Sequence, residues 1–180
     1  MNVGGKAMHF SVKELAVIVL MAALGAVVSV PLGYLGKALN AVAILPFGAP
    51  QLLAGVHVLW LLIAALYTRR VGSAAATSII KGLVEVTLFS AQGVTAIPIS
   101  IAEGLLCEAG LLTLGRNRWW AVAVSGGLSS VGNVVVLRLL VLFALPVEVI
   151  AFMAVMAFIS GAVVGLFSLR VNALIRKIGH

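Results

Sequence analysis

The stretch IIKGLVEV, Ile79 to Val86, sets a lysine and a glutamate four residues apart inside a run otherwise fit for lipid. In water such a pair is surface decoration, whereas in a bilayer both charges must face protein or water. Composition decides between the two solvents. Of 180 residues 63% are hydrophobic and 9% charged, with a mean hydropathy of +1.23; soluble domains run at roughly 45–50% apolar and about 25% charged. The chain is an all-α integral membrane protein on this reading, multi-pass in the cell membrane, with the lipid bilayer as its solvent.

The acidic residues are Glu14, Glu85, Glu103, Glu108 and Glu148, and there is no aspartate. Chemistry built on clustered Asp ligands for Mg²⁺ or Ca²⁺ is therefore disfavoured. Cys107 is the single cysteine, so neither an intrachain disulfide nor a thiolate metal centre can form, and it reads as a small buried filler. No metal site and no cofactor is expected. The net charge of +7 is spread between apolar runs rather than gathered in one patch, which argues for membrane topology and against a nucleic-acid partner.

A bilayer core takes about 20 apolar residues per helix. Six runs meet that need, at residues 14–35, 50–67, 73–91, 94–115, 119–143 and 147–169, and leave no soluble domain, so residues 1–180 read as a single membrane-embedded domain. The first run has no cleavage signature and is read as a retained helix. Lys6 and Lys13 precede it, Arg69 and Arg70 follow the second, Arg116 and Arg118 the fourth, and Arg170, Arg176 and Lys177 the sixth; the alternate connections carry Lys37 and Glu148. The positive-inside rule then puts both termini in the cytoplasm. LPFGAP, Leu45 to Pro50, reads as an ordered turn or re-entrant stretch in the long first outer connection. Trp119 and Trp120 beside Arg118 form an interfacial anchor.

The first helix reads MAALGAVVSVPLG, with Ala22, Ala26, Ser29 and Gly33 spaced on one face. Such smooth faces let helices approach closely. Packing inside the bundle and packing against a separate subunit are both open for it. Ala154, Ala157, Gly161 and Gly165 repeat the device on the sixth helix, where packing within the bundle is favoured.

With the third helix entering near Ser73, a rise of about 1.5 Å per residue sets Lys81 roughly 12 Å and Glu85 roughly 18 Å deep. At 100° per residue Lys81, Glu85 and Gln92 fall within about 40° of one another, one polar stripe. The bland alternative is a self-neutralising i,i+4 bridge. Gln51 and His57 on the second helix and Asn133 and Arg138 on the fifth converge on the same outer half, with Tyr34, Lys37 and Asn40 nearby. That suggests a pocket open outward. Glu103 and Glu108 lie on the fourth helix and point about 140° apart, so at most one lines the cavity. His57 has no second His or Cys near it and reads either as a hydrogen-bonded core residue or as a ligand-binding one. Arg138 could bind an anion but is expected to pair with Glu148; Trp60 could stack on a flat ring or fill the core.

SGGLSS, Ser125 to Ser130, has the small residues of an intramembrane serine protease, yet only His57 could serve as an intramembrane base, on another helix. The chain is not expected to be an enzyme. A small membrane enzyme acting on lipid and a structural subunit remain as alternatives.

Six spans in under 200 residues, a first helix carrying AxxxA as Ala22 and Ala26, and no ATP-binding loop together resemble the substrate-binding S-components of energy-coupling factor (ECF) transporters. TRRVGSAAATSIIKGLVE, Thr68 to Glu85, is similar to the YkoE group, with Arg69, Arg70 and Gly72 opening the third helix and Glu85 in its outer half. EGLLCE, Glu103 to Glu108, and ISGAVVGLFSLRVNALIRKIG, Ile159 to Gly179, extend the likeness over most of the chain. The chain departs from that pattern at Val71 for proline, Glu103 for glutamine, Lys81 for a small residue and His57 for tryptophan. The resemblance implies capture of a vitamin or precursor, hydroxymethylpyrimidine or thiamine, from outside. It also implies a transmembrane T-component, met by Ala22 and Ala26, and two cytoplasmic ATPases. Glu85 would then read an aminopyrimidine while Lys81 balances its charge, with Gln92, His57, Gln51, Trp60, Asn133, Glu103 and Arg138 completing the site.

Overall fold

The structure, a computed structural model, describes residues 10–42 and 49–178. Lys6, most of the LPFGAP stretch and Gly179 lie outside the described residues. The described chain forms six α-helices and no strand: α1 (Val12–Val42), α2 (Ala49–Thr68), α3 (Ser73–Thr87), α4 (Ala96–Leu114), α5 (Trp119–Leu140) and α6 (Val147–Ile178). A short 3-10 turn, Gly93–Thr95, leads into α4. Five of the six are long and apolar enough to cross a membrane, and α3 is the exception. Its 15 residues reach about 22 Å at 1.5 Å per residue, short of a ~30 Å hydrocarbon core.

The expected third run continued to residue 91, but α3 stops at Thr87 because the chain reverses there. Phe89 takes a left-handed φ of 54°; the Ser90 N–H donates to the Glu85 carbonyl and the Phe89 N–H to the Val86 carbonyl. This six-to-one bond around a left-handed residue closes a helix C-terminus, and hydropathy does not register it. The two terminal helices run longer than their apolar cores. α1 continues through Pro31, which lies on its exposed side. α6 carries its basic tail back onto the bundle, where Arg176 Nη2 donates to the Leu66 carbonyl at 3.0 Å.

Neighbouring helices close a ring in the order α1, α2, α6, α5, α4, α3 and back to α1, and α2 also meets α3, α4 and α5. The apolar core gathers around that central helix, with Val58, Leu61, Leu62, Ala65, Cys107, Leu111 and Val122 all buried. Small residues set the closest crossing. A Cβ on Gly161 of α6 would fall 2.7 Å from the Gly126 carbonyl carbon of α5, so only glycine allows these backbones to touch. The small face of α6 is thus internal packing. SGGLSS belongs to the same helix as Gly126; Ser129 Oγ donates to the Glu103 carbonyl and Ser125 Oγ to the Ala121 carbonyl, so these serines are occupied by backbone.

One end of the bundle is tied by charge. Ser11 and Glu14 form a reciprocal cap on α1: the Ser11 N–H donates to Glu14 Oε2 at 2.7 Å and the Glu14 N–H to Ser11 Oγ at 3.3 Å, as in the S-x-x-E pattern. Glu14 Oε1 also accepts from Arg70 Nε at 2.8 Å. Gly72 holds a φ of 86° at the start of α3 and provides no side-chain cap; Glu108 of α4 supplies one, its Oε2 accepting the Ala74 N–H at 3.0 Å. Arg116 pairs with Glu108 and donates to the Arg70 carbonyl at 2.7 Å. The ends of α1, α2, α3, α4 and α6 therefore meet in one basic network. Trp119 and Trp120 stand exposed nearby, with the Arg118 guanidinium 5.7 Å from the Trp120 ring centre.

Candidate functional site

At the opposite end of the bundle a cavity of about 280 Å³ opens between α1, α2, the α3–α4 connection, α5 and α6. Its polar lining is Lys37, Asn40, Gln51, His57, Gln92 and Asn133; Leu32, Leu137, Leu142 and Met153 form apolar walls. Gln51, His57 and Asn133 are each less than a tenth exposed, so they are held by the helices rather than free in water. On one side the rim is fastened: Tyr34 Oη donates to the Phe89 carbonyl at 2.7 Å, and Lys37 Nζ donates to the Ala91 carbonyl.

Behind this lining lies the Lys81 and Glu85 pair. Lys81 Nζ is 2.8 Å from Glu85 Oε1 and 3.9 Å from Glu103 Oε2, and all three side chains are at most 3% exposed. His57 Nδ1 lies 3.9 Å from the same Glu85 oxygen. Asn133 Nδ2 donates to Glu103 Oε1 at 3.1 Å. The same two residues, His57 and Asn133, thus face the cavity and contact the buried charges. The contact of Lys81 with Glu85 is at ion-pair distance but outside hydrogen-bond geometry, and among the described residues Glu85 Oε1 and Glu103 Oε2 have no hydrogen-bond donor. In a low-dielectric interior such groups are costly to leave unmatched.

Room for Lys81 comes from α1. A Cβ on Gly25 would lie 3.0 Å from the Trp60 ring and 3.2 Å from Lys81 Cδ. Ala22 and Ala26, flanking Gly25, have no exposed surface, and Ser29 is 3% exposed. Ala22 and Ala26, expected against a T-component, are covered here by the chain itself: α1 turns its small side toward α2 and α3, where a long lysine and an indole take up the space. Its outward side carries Leu15, Val19, Leu20, Leu24 and Val27 instead.

Among the expected site residues, Gln51, His57, Gln92 and Asn133 line the cavity, and Lys81, Glu85 and Glu103 stand behind it. Gln92 does not belong to an α3 stripe, because α3 has already ended; it reaches the cavity from the connection. Trp60 packs beside Gly25, outside the lining, with its Nε1 unpartnered. Arg138 does not pair with Glu148: its Nη1 donates to the carbonyls of Leu142, Phe143 and Leu145 at 2.7, 2.5 and 2.8 Å and so closes the α5–α6 turn. Neither Glu103 nor Glu108 is in the lining: Glu103 stands behind it beside Lys81, and Glu108 caps α3 in the basic network, on different sides of α4 as their spacing implied. Lys37 and Asn40, expected near the pocket, lie in its α1 wall; sequence reasoning missed Leu32, Gly33 and Gly36 there, and the two glycines share a helix face at a spacing of three, which was the available signal.

Among the described residues no group of three or more His, Cys, Asp or Glu could hold a metal ion. Residues 13–132 match the family model described as "ABC-type cobalt transport system, permease component". A solved structure described as "Crystal structure of an S-component of ECF transporter" superposes with a TM-score of 0.85 at 27% identity, over 95% of this chain and 88% of that one. No curated protein sequence matches. The matched model and the shared architecture point to a transporter subunit rather than an enzyme: the chain belongs to the family of ABC-type cobalt transport system permease components, as a multi-pass membrane subunit of the ECF S-component class.

Proposed function

We propose that the chain captures a vitamin-like nitrogen heterocycle, hydroxymethylpyrimidine or thiamine, in the cavity at the end of the bundle away from the basic network. It would then deliver the ligand through an ECF complex with a transmembrane T-component and two cytoplasmic ATPases. The observation that carries this reading is the cavity itself: apolar walls, a few fixed amide and imidazole groups, and charge one layer behind. Small-molecule sites are built this way, with polar groups fixing orientation and apolar surface excluding water. Gln51, His57, Gln92 and Asn133 contact the ligand; Glu85 and Glu103 act through His57 and Asn133, and Lys81 balances them. Trp60 and Arg138 hold the surrounding structure.

In this reading the bundle crosses the cell membrane six times with both termini in the cytoplasm. The clustering of Arg70, Arg116 and Arg176 at one end, with the cavity at the other, supports that orientation under the positive-inside rule. The short α3 spans together with the turn that follows it, and its exposed Ile79 and Leu83 are suited to lipid.

The description of the matched family favours cobalt as a second reading. Against it, His57 is the one metal-binding side chain among the described lining residues, and the nearest carboxylates already hold an ammonium. A divalent ion would need several such donors together. Isothermal titration of the detergent-purified protein with thiamine, hydroxymethylpyrimidine and Co²⁺ separates the readings. Saturable binding of either organic compound, weakened by His57→Ala and Asn133→Ala, is expected. Binding of Co²⁺ alone would refute the proposal.

A further inference from the structure

Resting on the proposed capture of an organic heterocycle, we infer that the Lys81, Glu85 and Glu103 set acts as a charge selector, matching a ligand with a single positive charge in preference to a neutral one. The set holds two carboxylates and one ammonium, so with each group in its ordinary charge state it is one positive charge short. Two of its oxygens, Glu85 Oε1 and Glu103 Oε2, lack a hydrogen-bond donor among the described residues although both residues are at most 2% exposed. The direction in which the missing charge can be supplied is fixed by the lining. Asn133 donates to Glu103 and His57 lies 3.9 Å from Glu85 on one side, and both line the cavity on the other. A cation in the cavity therefore sits one side chain from the surplus negative charge, in a medium that screens weakly.

Other charges near the cavity do not cancel this field. Lys37 lies at the rim with its side chain exposed, where water and salt screen it. Arg138 is turned onto the carbonyls of the α5–α6 turn, and Glu148 is exposed. The surplus belongs to the buried set alone. Lys81 and Glu103 also oppose each other in the count: removing both leaves Glu85 and the same net charge, whereas removing Glu103 alone leaves none.

The test uses detergent-purified full chain and two probes at pH 8, thiamine as a permanent monocation and hydroxymethylpyrimidine as a largely neutral ring. Thiamine should bind about tenfold or more tightly, a difference worth ~1.4 kcal/mol. Glu103→Gln should weaken thiamine by about tenfold more than it weakens the neutral probe. The double variant Lys81→Met/Glu103→Gln should bring thiamine back to within roughly threefold of the parent. Equal binding of the two probes by the parent overturns the inference while leaving the proposed function standing. Unchanged thiamine affinity in Glu103→Gln, or no recovery in a double variant that keeps the helix content of the parent, overturns it as well. Failure of both probes to bind the folded parent removes the proposed function and the inference with it.

Discussion

Replacing Lys81 by methionine tests the buried ion set most directly. Lys81 leads the largest fully buried side chains and is 1% exposed, so the change keeps the stem and deletes the ammonium. At an effective dielectric of about 20, gross attraction is about 6 kcal/mol to a carboxylate oxygen 2.8 Å away and about 4 kcal/mol at 3.9 Å, using the two Lys81 distances. Most of that is offset by the cost of burying the charges. The measured penalty for removing one partner of a buried pair is ~3–5 kcal/mol. At ~2–4 °C per kcal/mol for a chain of this size, melting should fall by roughly 6 to 20 °C. Thermal unfolding of the empty protein in mild detergent, followed by far-UV circular dichroism, reads the shift. Lys81→Met/Glu85→Gln removes the nearer carboxylate with the ammonium and should recover more than half of the loss. A single variant that melts within about 2 °C of the parent would show that the set is hydrated or already neutral, and the electrostatic reasoning would fail.

Three further predictions follow from packing and from the basic network. Ala22→Leu and Ala26→Leu should each cost about 1–3 kcal/mol by overpacking, so ligand binding and uptake fall together; normal binding with lost uptake would show instead that this face meets a partner. Gly161→Val should abolish or severely lower the yield of folded protein in detergent extracts, because the new side chain meets the Gly126 backbone of α5; a normal yield and melting temperature would mean that the α5–α6 crossing is not tight. Arg116→Met, which leaves Glu108 buried and unpaired, should lower stability by about 3–5 kcal/mol. Glu108→Gln keeps an acceptor for the Ala74 N–H and should cost less, and equal melting of the two variants would refute the assigned role of the pair.

Much of the architecture was written in the sequence because the bilayer imposes it. A segment in hydrocarbon must satisfy its own backbone, so an apolar run of sufficient length becomes a helix whatever its neighbours do. That local rule is why six helices could be drawn from hydropathy, with α2 expected at 50–67 and found at Ala49–Thr68. The inward facing of Lys81 and Glu85 followed from the same physics, since lipid offers a charge no partner. The S-x-x-E cap at Ser11 is also a local contact, between residues three apart, but the sequence reading passed over it.

Tertiary structure decided everything that depends on which helices meet. Whether Ala22 and Ala26 face lipid, a partner or the chain itself is not a property of α1; it turned on Trp60 and Lys81, brought in from α2 and α3 to fill the space. Arg138 had an acidic residue within reach in sequence, but the folded turn presented three carbonyl oxygens first. Gln92 entered the cavity although its helix ended five residues earlier. The pairing of Glu103 with Lys81 and Asn133 joins three helices, and no periodicity within one of them contains it. Sequence periodicity fixes the angle of a side chain about its own axis, while the group it meets depends on the rotation and neighbours of every other helix, which only the packed bundle determines.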